Sequence, residues 1–340
     1  MPIRRPARIA VAVAVVAAVA WAAGRLPAVG GSWTAALGLI GRLPWFEILG
    51  LGAVWMLGLC VHATVLSASM PGLRRRRALT LNLTGSAVSN VLPLGGLAGT
   101  ALNLSMTRSW GHSRLDFARF VVVTKACDVI AKLLMPAVAV GALLASGALS
   151  PAAGGWVLAA AVAFGAGALL LRAMCGRATP LLHVVGLASR ACSWASRGRS
   201  VGAGWPTAVS ALLEGTDVLV RRRRLTLTLG MAGYWLAQGA LFWCCLAAVG
   251  LRPSPPVVLA GLVAERLMTL LVVTPGGAGP AETAMITVLI ALGADPTRAL
   301  AGVLLFRAFV FAAEIPVGGA VLLGWWASRR LTVRREPACV

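Results

Sequence analysis

Residues 46–77 read FEILGLGAVWMLGLCVHATVLSASMPGLRRRR. The first part, 46–70, is apolar for longer than the roughly 20 residues a helix needs to cross a hydrocarbon core. It is followed by four consecutive arginines, Arg74 to Arg77. An apolar run that ends in a basic cluster is the pattern of a membrane span returning to the inner face. The pattern repeats outward in both directions. Further apolar runs lie at 9–24, 119–144, 155–173, 225–251, 255–273 and 299–327, and a shorter one at 279–292 is expected to make an eighth span. The run at 9–24 follows Arg4, Arg5 and Arg8 and reads as an uncleaved signal-anchor, because so many spans come after it.

Composition agrees. The 340 residues are 59% hydrophobic and only 12% charged, half the charged share of about 25% in soluble domains. A water-soluble enzyme is therefore excluded. Lys and Arg total 31 against 10 Asp and Glu, a formal charge of +21. In a soluble protein such a surplus would suggest nucleic acid. Here the arginines lie between apolar runs, so they read as topology determinants and no nucleic-acid partner is expected. The basic groups fall at the N-terminus, at Arg74–Arg77, in the connection 175–224 with Arg221 to Arg224, and at Arg329, Arg330, Arg334 and Arg335. An even number of spans with both termini cytoplasmic fits that distribution. The expected fold class is all-α: a polytopic integral membrane helix bundle of about eight spans, with one or two broken or re-entrant Gly/Pro hairpins. Residues 1–327 would form one transmembrane domain that includes the basic cytoplasmic connection 175–224, and 328–340 a basic cytoplasmic tail. The seven cysteines form no C-x-x-C pair, and Cys60, Cys127, Cys244 and Cys245 lie in apolar runs as small hydrophobes. His62, His112 and His183 are far apart and show no metal-ligand spacing. No metal and no cofactor is expected.

Two segments depart from simple spans. Residues 79–106 read LTLNLTGSAVSNVLPLGGLAGTALNLSM, with Asn82, Asn90, Pro93, Gly95, Gly96 and Gly99 interrupting an apolar background. Arg108, Arg114 and Arg119 follow and would face outside if the segment crossed fully. A re-entrant hairpin from the cytoplasmic side is the expectation; such backbone survives at membrane depth only inside protein or beside water. The second break is Pro275-Gly276-Gly277-Ala278-Gly279-Pro280-Ala281-Glu282. Paired Gly/Pro interruptions in two halves of a membrane protein are a pointer to a transport site. A helix that starts within the membrane aims N–H groups and a positive dipole end at its ligand. The alternative is a pair of helix kinks with close packing.

Ionisable residues inside apolar runs are the other signal. Lys125, Asp128 and Lys132 share one helical face, and Arg307 and Glu314, seven apart, are expected to share another. Glu265 and Arg266 precede the second break and Glu282 follows it. A charge at the bilayer centre costs about 2.5–3.5 kcal/mol even on the gentler insertion scale, so these groups must pair, face inward or line a wet cavity. Among the polar residues of the first hairpin, Asn90 is the one expected at a ligand, because it adjoins the break.

These residues resemble a known family. Glu265-Arg266, the Pro275-Gly276-Gly277 turn through Gly279 to Glu282, Leu292-Gly293 and then Arg307 look like the signature of the lysylphosphatidylglycerol synthase transmembrane region, a flippase-like group of bacterial and archaeal membrane proteins. The run from Asn90 through Pro93, Gly95 and Gly96 to Gly99 resembles the family's earlier signature, and Lys125 with Asp128 its basic residue and following acid. The similarity covers roughly residues 45 to 327. Two positions differ: Thr100 and Ala101 follow Gly99 where many members carry a charged pair, and Lys125 stands where arginine is commoner. What the resemblance implies is lipid translocation in a bacterial or archaeal cell membrane. The full-length synthases carry a separate soluble domain that makes the aminoacylated lipid, and a chain ending at Val340 is expected to lack it.

The first functional expectation is therefore a flippase-like transporter of a phospholipid or polyprenyl-phosphate-linked headgroup, its partner an anionic membrane lipid. Arg307, with Lys125 or Arg266, would hold the phosphate, and Asp128, Glu265, Glu282 and Glu314 would balance those cations or bind a cationic headgroup. The second is an intramembrane transferase. It finds no Ser/His/Asp set and no H-E-x-x-H, and nothing resembling an ATP-binding glycine loop appears either. The third is a non-transporting scaffold whose charges only fasten helices.

Overall fold

The computed structural model describes residues 32–92, 95–148, 155, 162, 165–167, 205–270 and 275–333. The expected run at 9–24, almost all of that at 155–173, Pro93 and the tail beyond Val333 lie outside the described residues. So does most of the connection before Trp205. The described residues contain no strand. They form α1 (Trp33–Gly41), α2 (Trp45–Ala68), α3 (Arg75–Val91), α4 (Gly95–Ser109), α5 (Arg114–Ala145), α6 (Trp205–Ala248), α7 (Pro255–Leu270), a 3₁₀ turn (Pro275–Gly277), α8 (Pro280–Ala291), α9 (Pro296–Arg307), a π-helical turn (Ala308–Ala313) and α10 (Glu314–Val333). The protein is a polytopic helical membrane protein, and four helical stretches are long and apolar enough to cross: Trp45–Ala68, Arg114–Ala145, Gly215–Ala248 and Pro296–Arg330.

Local chemistry sets where these helices begin. Ser113 caps α5 by accepting from the Asp116 N–H at 3.0 Å, while Asp116 returns a carboxylate to the Ser113 N–H at 3.2 Å. Asp295 caps α9 ahead of Pro296, and Pro280 opens α8. α6 is longer than expected. Its 44 residues run unbroken from Trp205, so the last part of the presumed connection 175–224 is helical and carries Arg221 to Arg224.

α2 and α6 run antiparallel at the centre, with Gly58 against Ala237, Val61 against Gly233 and Val65 against Gly230. Small residues let these backbones approach, which is how helices associate where lipid and side chains are equally apolar.

α3 and α4 form the first hairpin. Gly95 lies against the Ser89 backbone, Gly99 against the Gly85 carbonyl, and Gly85 against the Asn103 amide. The Ser89 hydroxyl donates to the Gly95 carbonyl at 3.1 Å. At the base, the Arg77 guanidinium sits 5.1 Å from the centre of the Trp110 ring. Both ends of the hairpin thus lie at one end of the bundle, as the sequence predicts for a re-entrant segment.

The second break is also a hairpin, and here the expected span at 279–292 is corrected. α7 has 16 residues and α8 only 12, lengths of about 24 and about 18 Å at 1.5 Å per residue. α8 does not reach the ~30 Å of a hydrocarbon core, and α7 is described as far as Leu270. They fold back on each other, with Gly261 near Leu289 and Gly277 near Thr269. The base is tied where Arg298 Nη1 donates to the Gly250 carbonyl at 3.0 Å.

The antiparallel pair α2–α6 fixes how the hairpins relate. The first hairpin starts just after the C-terminal end of α2, and the second just after the C-terminal end of α6. Those ends are opposite ends of the bundle, so the hairpins enter from opposite sides. The arginines divide accordingly. Arg74–Arg77, Arg108, Arg114, Arg221–Arg224, Arg329 and Arg330 gather at the base of the first hairpin, whereas Arg42, Arg252 and Arg298 lie at the other end. Tryptophans mark both rims, and Arg329 and Arg330 lie over Trp325 and Trp326 at 5.2 and 3.9 Å.

α10 closes the bundle by packing on α3, where a Cβ at Gly318 would strike the Leu83 carbonyl and the Ala87 methyl. Overpacking a well-filled contact costs about 1–3 kcal/mol. Gly318→Val is therefore expected to lower the thermal unfolding midpoint of the detergent-solubilised protein, followed by tryptophan fluorescence. Gly319→Val, one position on and facing nothing within 4 Å, is expected to leave it nearly unchanged.

Candidate functional site

The two hairpin tips meet. The first contributes Asn90, in the last turn of α3 before the chain turns back. The second contributes Pro275, Gly276 and Gly277 in the 3₁₀ turn, followed by Gly279. Gly276, Gly277 and Gly279 have φ of 59, 70 and 92°, values that favour glycine. Gly276 has a second reason to be glycine. A Cβ there would strike the Phe311 ring and lie 3.1 Å from Asn90 Oδ1.

Arg307 ties this junction together. It is 6% exposed, at the C-terminal end of α9. Its Nε donates to Glu282 Oε1 at 2.7 Å, Nη1 to Glu265 Oε1 at 3.3 Å, and Nη2 to the Gly276 carbonyl at 2.8 Å. Glu265 comes from α7 and Glu282 from α8, so one guanidinium joins both arms and the tip of the second hairpin. Glu282 has two tasks. Its other oxygen accepts the Gly279 N–H at 2.7 Å and caps the α8 N-terminus. The positive end of that half-helix is thus met by the chain's own carboxylate, and the sequence expectation of an anion held there is not what this conformation contains.

Arg266 is the less committed cation. Its Nε lies 2.8 Å from Glu265 Oε2, but the approach is off the hydrogen-bonding direction. Both of those atoms and Arg266 Nη2 are buried without a hydrogen-bond partner among the described residues. The guanidinium carbon stands 4.7 Å from the Trp235 ring centre. Two cations, Arg266 and Arg307, and two anions, Glu265 and Glu282, make this cluster neutral.

Glu314 goes elsewhere, and this corrects the expectation that it shares a face with Arg307. The π turn Ala308–Ala313 lies between them. A π turn adds a residue to the helical repeat, rotating the helix beyond it by about 100° relative to an uninterrupted α-helix. Pro316 is one local cause: it supplies no N–H and its ring crowds the carbonyl four residues back. Arg307 consequently turns to the second hairpin and Glu314 to the first. Asn90 Nδ2 bridges, lying 3.3 Å from the Phe311 carbonyl and 3.4 Å from Glu314 Oε2.

Sequence reasoning missed a polar group that adjoins the junction. The His62 ring stacks on Tyr234 with centroids 4.4 Å apart, and Gln238 Nε2 donates to the Tyr234 hydroxyl at 2.8 Å. His62 also faces Asn82 and lies within electrostatic reach of Asp128 and Arg266. His62 Nδ1, Asn82 Nδ2, Trp235 Nε1 and Gln238 Oε1 are buried and without hydrogen-bond partners among the described residues. The available signal was the four-residue spacing of Asn82, Ser86 and Asn90, which lines one face of α3. His62 and Tyr234 are isolated in sequence and gave none.

Other predicted site residues take no part in the hydrogen bonds of this centre, although Asp128 and Lys125 lie within electrostatic reach of His62. Asp128 pairs with Lys132 at 2.9 Å on α5. Lys125 is exposed. Gly95 is a packing residue against Ser89, and Gly96 faces open space. Instead of an open hollow between the breaks, the described parts of the tips touch, at Asn90, Gly276 and Phe311.

This arrangement, with opposed hairpins whose tips are joined by Asn90 and an arginine holding Glu265 and Glu282, agrees with what comparison finds. The model of the lysylphosphatidylglycerol synthase TM region family matches residues 9–318. The chain belongs to that family. Its function accordingly lies with membrane lipid. Comparison with curated proteins gave no match. The matched range contains Glu265, Arg266, Glu282 and Arg307, which build the ion cluster.

Removing one partner of a buried ion pair costs about 3–5 kcal/mol, because the other charge is left stranded. Arg307→Gln is expected to destabilise the purified protein by that order. Adding Glu282→Gln to Arg307→Gln is expected to recover part of the loss, and a double-mutant cycle on thermal unfolding reads the coupling.

Proposed function

We propose that this protein is a lipid-translocating transporter of a bacterial or archaeal cell membrane, with both termini cytoplasmic, and that it is not an enzyme. The observation that carries the reading is the meeting of two Gly/Pro-broken hairpins, entering from opposite ends, over a neutral cluster of buried ions. Inverted broken helices around a midplane site are the architecture of many secondary transporters. The concentration of arginine at the base of the first hairpin supports an inner orientation for that end.

In this reading the touching tips are a closed state. Parting Asn90 from the Phe311 turn would open the junction toward one side, and parting Gly276 from Phe311 toward the other. The headgroup phosphate of a phospholipid or polyprenyl-phosphate lipid would be met by Arg266, whose Nη2 has no partner among the described residues, together with Asn82 and Asn90. Arg307, already saturated by Glu265, Glu282 and Gly276, would hold the hairpin and keep its shape. Acyl chains would stay in the bilayer. The scaffold alternative accounts for Arg307 equally well, but gives no reason for the buried unpartnered polar atoms Arg266 Nη2 and Asn82 Nδ2.

The test is reconstitution into vesicles with fluorescent headgroup-labelled phosphatidylglycerol, phosphatidylethanolamine and a lipid-linked sugar in one leaflet. Protein-dependent movement of at least one is the expected outcome. Arg266→Gln is expected to slow it by about tenfold, the equivalent of one lost charged hydrogen bond, and, because it also takes one of two cations from Glu265, to lower the unfolding temperature, so the rate is compared at a temperature where both proteins are folded. Movement of none of these lipids would overturn the transporter reading.

A further inference from the structure

Of the carboxylates around the junction, Glu265 and Glu282 pair with arginine and Asp128 with Lys132. Glu314 is different. No cation lies within ion-pair distance of it among the described residues, and its hydrogen-bonding neighbours there are neutral, the Ser86 hydroxyl and the Asn90 amide at 3.4 Å. The groups that face it come from several elements. They are Ser86 and Asn90 of α3, Arg266 of α7 and Arg307 of α9, with Tyr234 of α6. α2 meets the π turn through Gly52 and Trp55, both uncharged. The two arginines are neutralised by Glu265 and Glu282, so an ionised Glu314 would leave the cluster one negative charge in excess within the membrane. A carboxylic acid there leaves it neutral. Glu314 is also partly accessible, and it sits where a π turn joins two helices, a feature common at functional positions.

We propose that Glu314 is a proton-binding site, and that its protonation is coupled to the contact between Asn90 and the Phe311 turn. A proton from water adds to the Glu314 carboxylate and makes a neutral acid. The reverse step returns the proton to water and restores an anion that the Asn90 amide and the nearby guanidiniums hold. Contact with Asn90 is therefore stronger in the ionised state, and protonation favours release of the first hairpin tip. This rests on the transporter reading for its role in a cycle, giving lipid movement a proton as its coupling ion. The ligand is a proton and not a metal ion. Among the described residues no three His, Cys, Asp or Glu side chains are grouped as metal ligands, and an amide donor and two guanidiniums face the carboxylate.

The test uses the full chain in lipid nanodiscs and dicyclohexylcarbodiimide, an apolar reagent that adds to protonated carboxyl groups and leaves a stable N-acylurea. Peptide mapping by mass spectrometry locates the adduct over a series from about pH 5 to about pH 9. The expected result is labelling of Glu314 at the acid end that declines as pH rises, with Glu265 and Glu282 unlabelled throughout. Asn90→Ala removes a donor to the ionised form and is expected to move the midpoint to higher pH. Replacing choline chloride by sodium chloride is expected to change nothing. The wild-type map needs no variant to fold. Absence of Glu314 labelling at every pH, labelling no greater than at Glu282, or suppression by sodium would each overturn the proton site, and an unmoved midpoint in Asn90→Ala would overturn the coupling. Labelling does not depend on lipid movement, so a positive map beside a failed vesicle assay would remove only the transporter reading.

Discussion

One guanidinium held by two carboxylates and a backbone carbonyl is the interaction on which the interior depends. An unpaired charge in hydrocarbon costs kilocalories, and a broken helix exposes backbone groups that lipid cannot satisfy. Arg307 answers both demands. It neutralises Glu265 and Glu282 jointly with Arg266, and it takes the Gly276 carbonyl that the second break leaves free. The pairing also fixes three separate pieces of chain, α7, the 3₁₀ turn and α8, to α9. A lysine could not do the same, because it lacks the planar fork that reaches three acceptors in different directions.

Around that tie, glycine determines how closely the backbones come. The first hairpin is zipped by Gly85, Gly95 and Gly99, α10 rests on α3 at Gly318, and the tips touch at Gly276. The approach is close enough that a methyl group at any of these positions would displace a neighbour. Such surfaces slide or part more readily than interdigitated leucines would, which suits hairpins that meet without being fused.

The π turn distributes the chemistry. By rotating Glu314 away from Arg307, it gives each hairpin its own partner on the last long helix. The second hairpin receives the saturated cation, and the first receives a carboxylate that makes no ion pair among the described residues. Next to this junction the stacked His62 and Tyr234, with Gln238, Asn82 and Arg266, add polar atoms that the described protein does not satisfy. Membrane interiors rarely retain such groups unless a polar ligand or water meets them.

The membrane class and the existence of two broken segments were written in the sequence. Each follows from a local quantity: run length, or Gly and Pro within an apolar stretch. The identity of the charged residues at the junction was legible too, since a charge in an apolar run is conspicuous whatever it touches. What pairs with what was not. Arg307 and Glu314 suggest a shared face by their spacing, and only a π turn that no spacing rule announces separates them. The run 279–292 has the composition of a short span, but its helix has only 12 residues and packs back on α7. His62 is a lone histidine until α6 brings Tyr234 onto its face. Sequence alone determined which groups must leave the oil, because that is a property of each residue. Tertiary structure decided where they found partners, because a partner more than 40 residues away, as Glu265 is from Arg307, is set by helix packing and leaves no local trace.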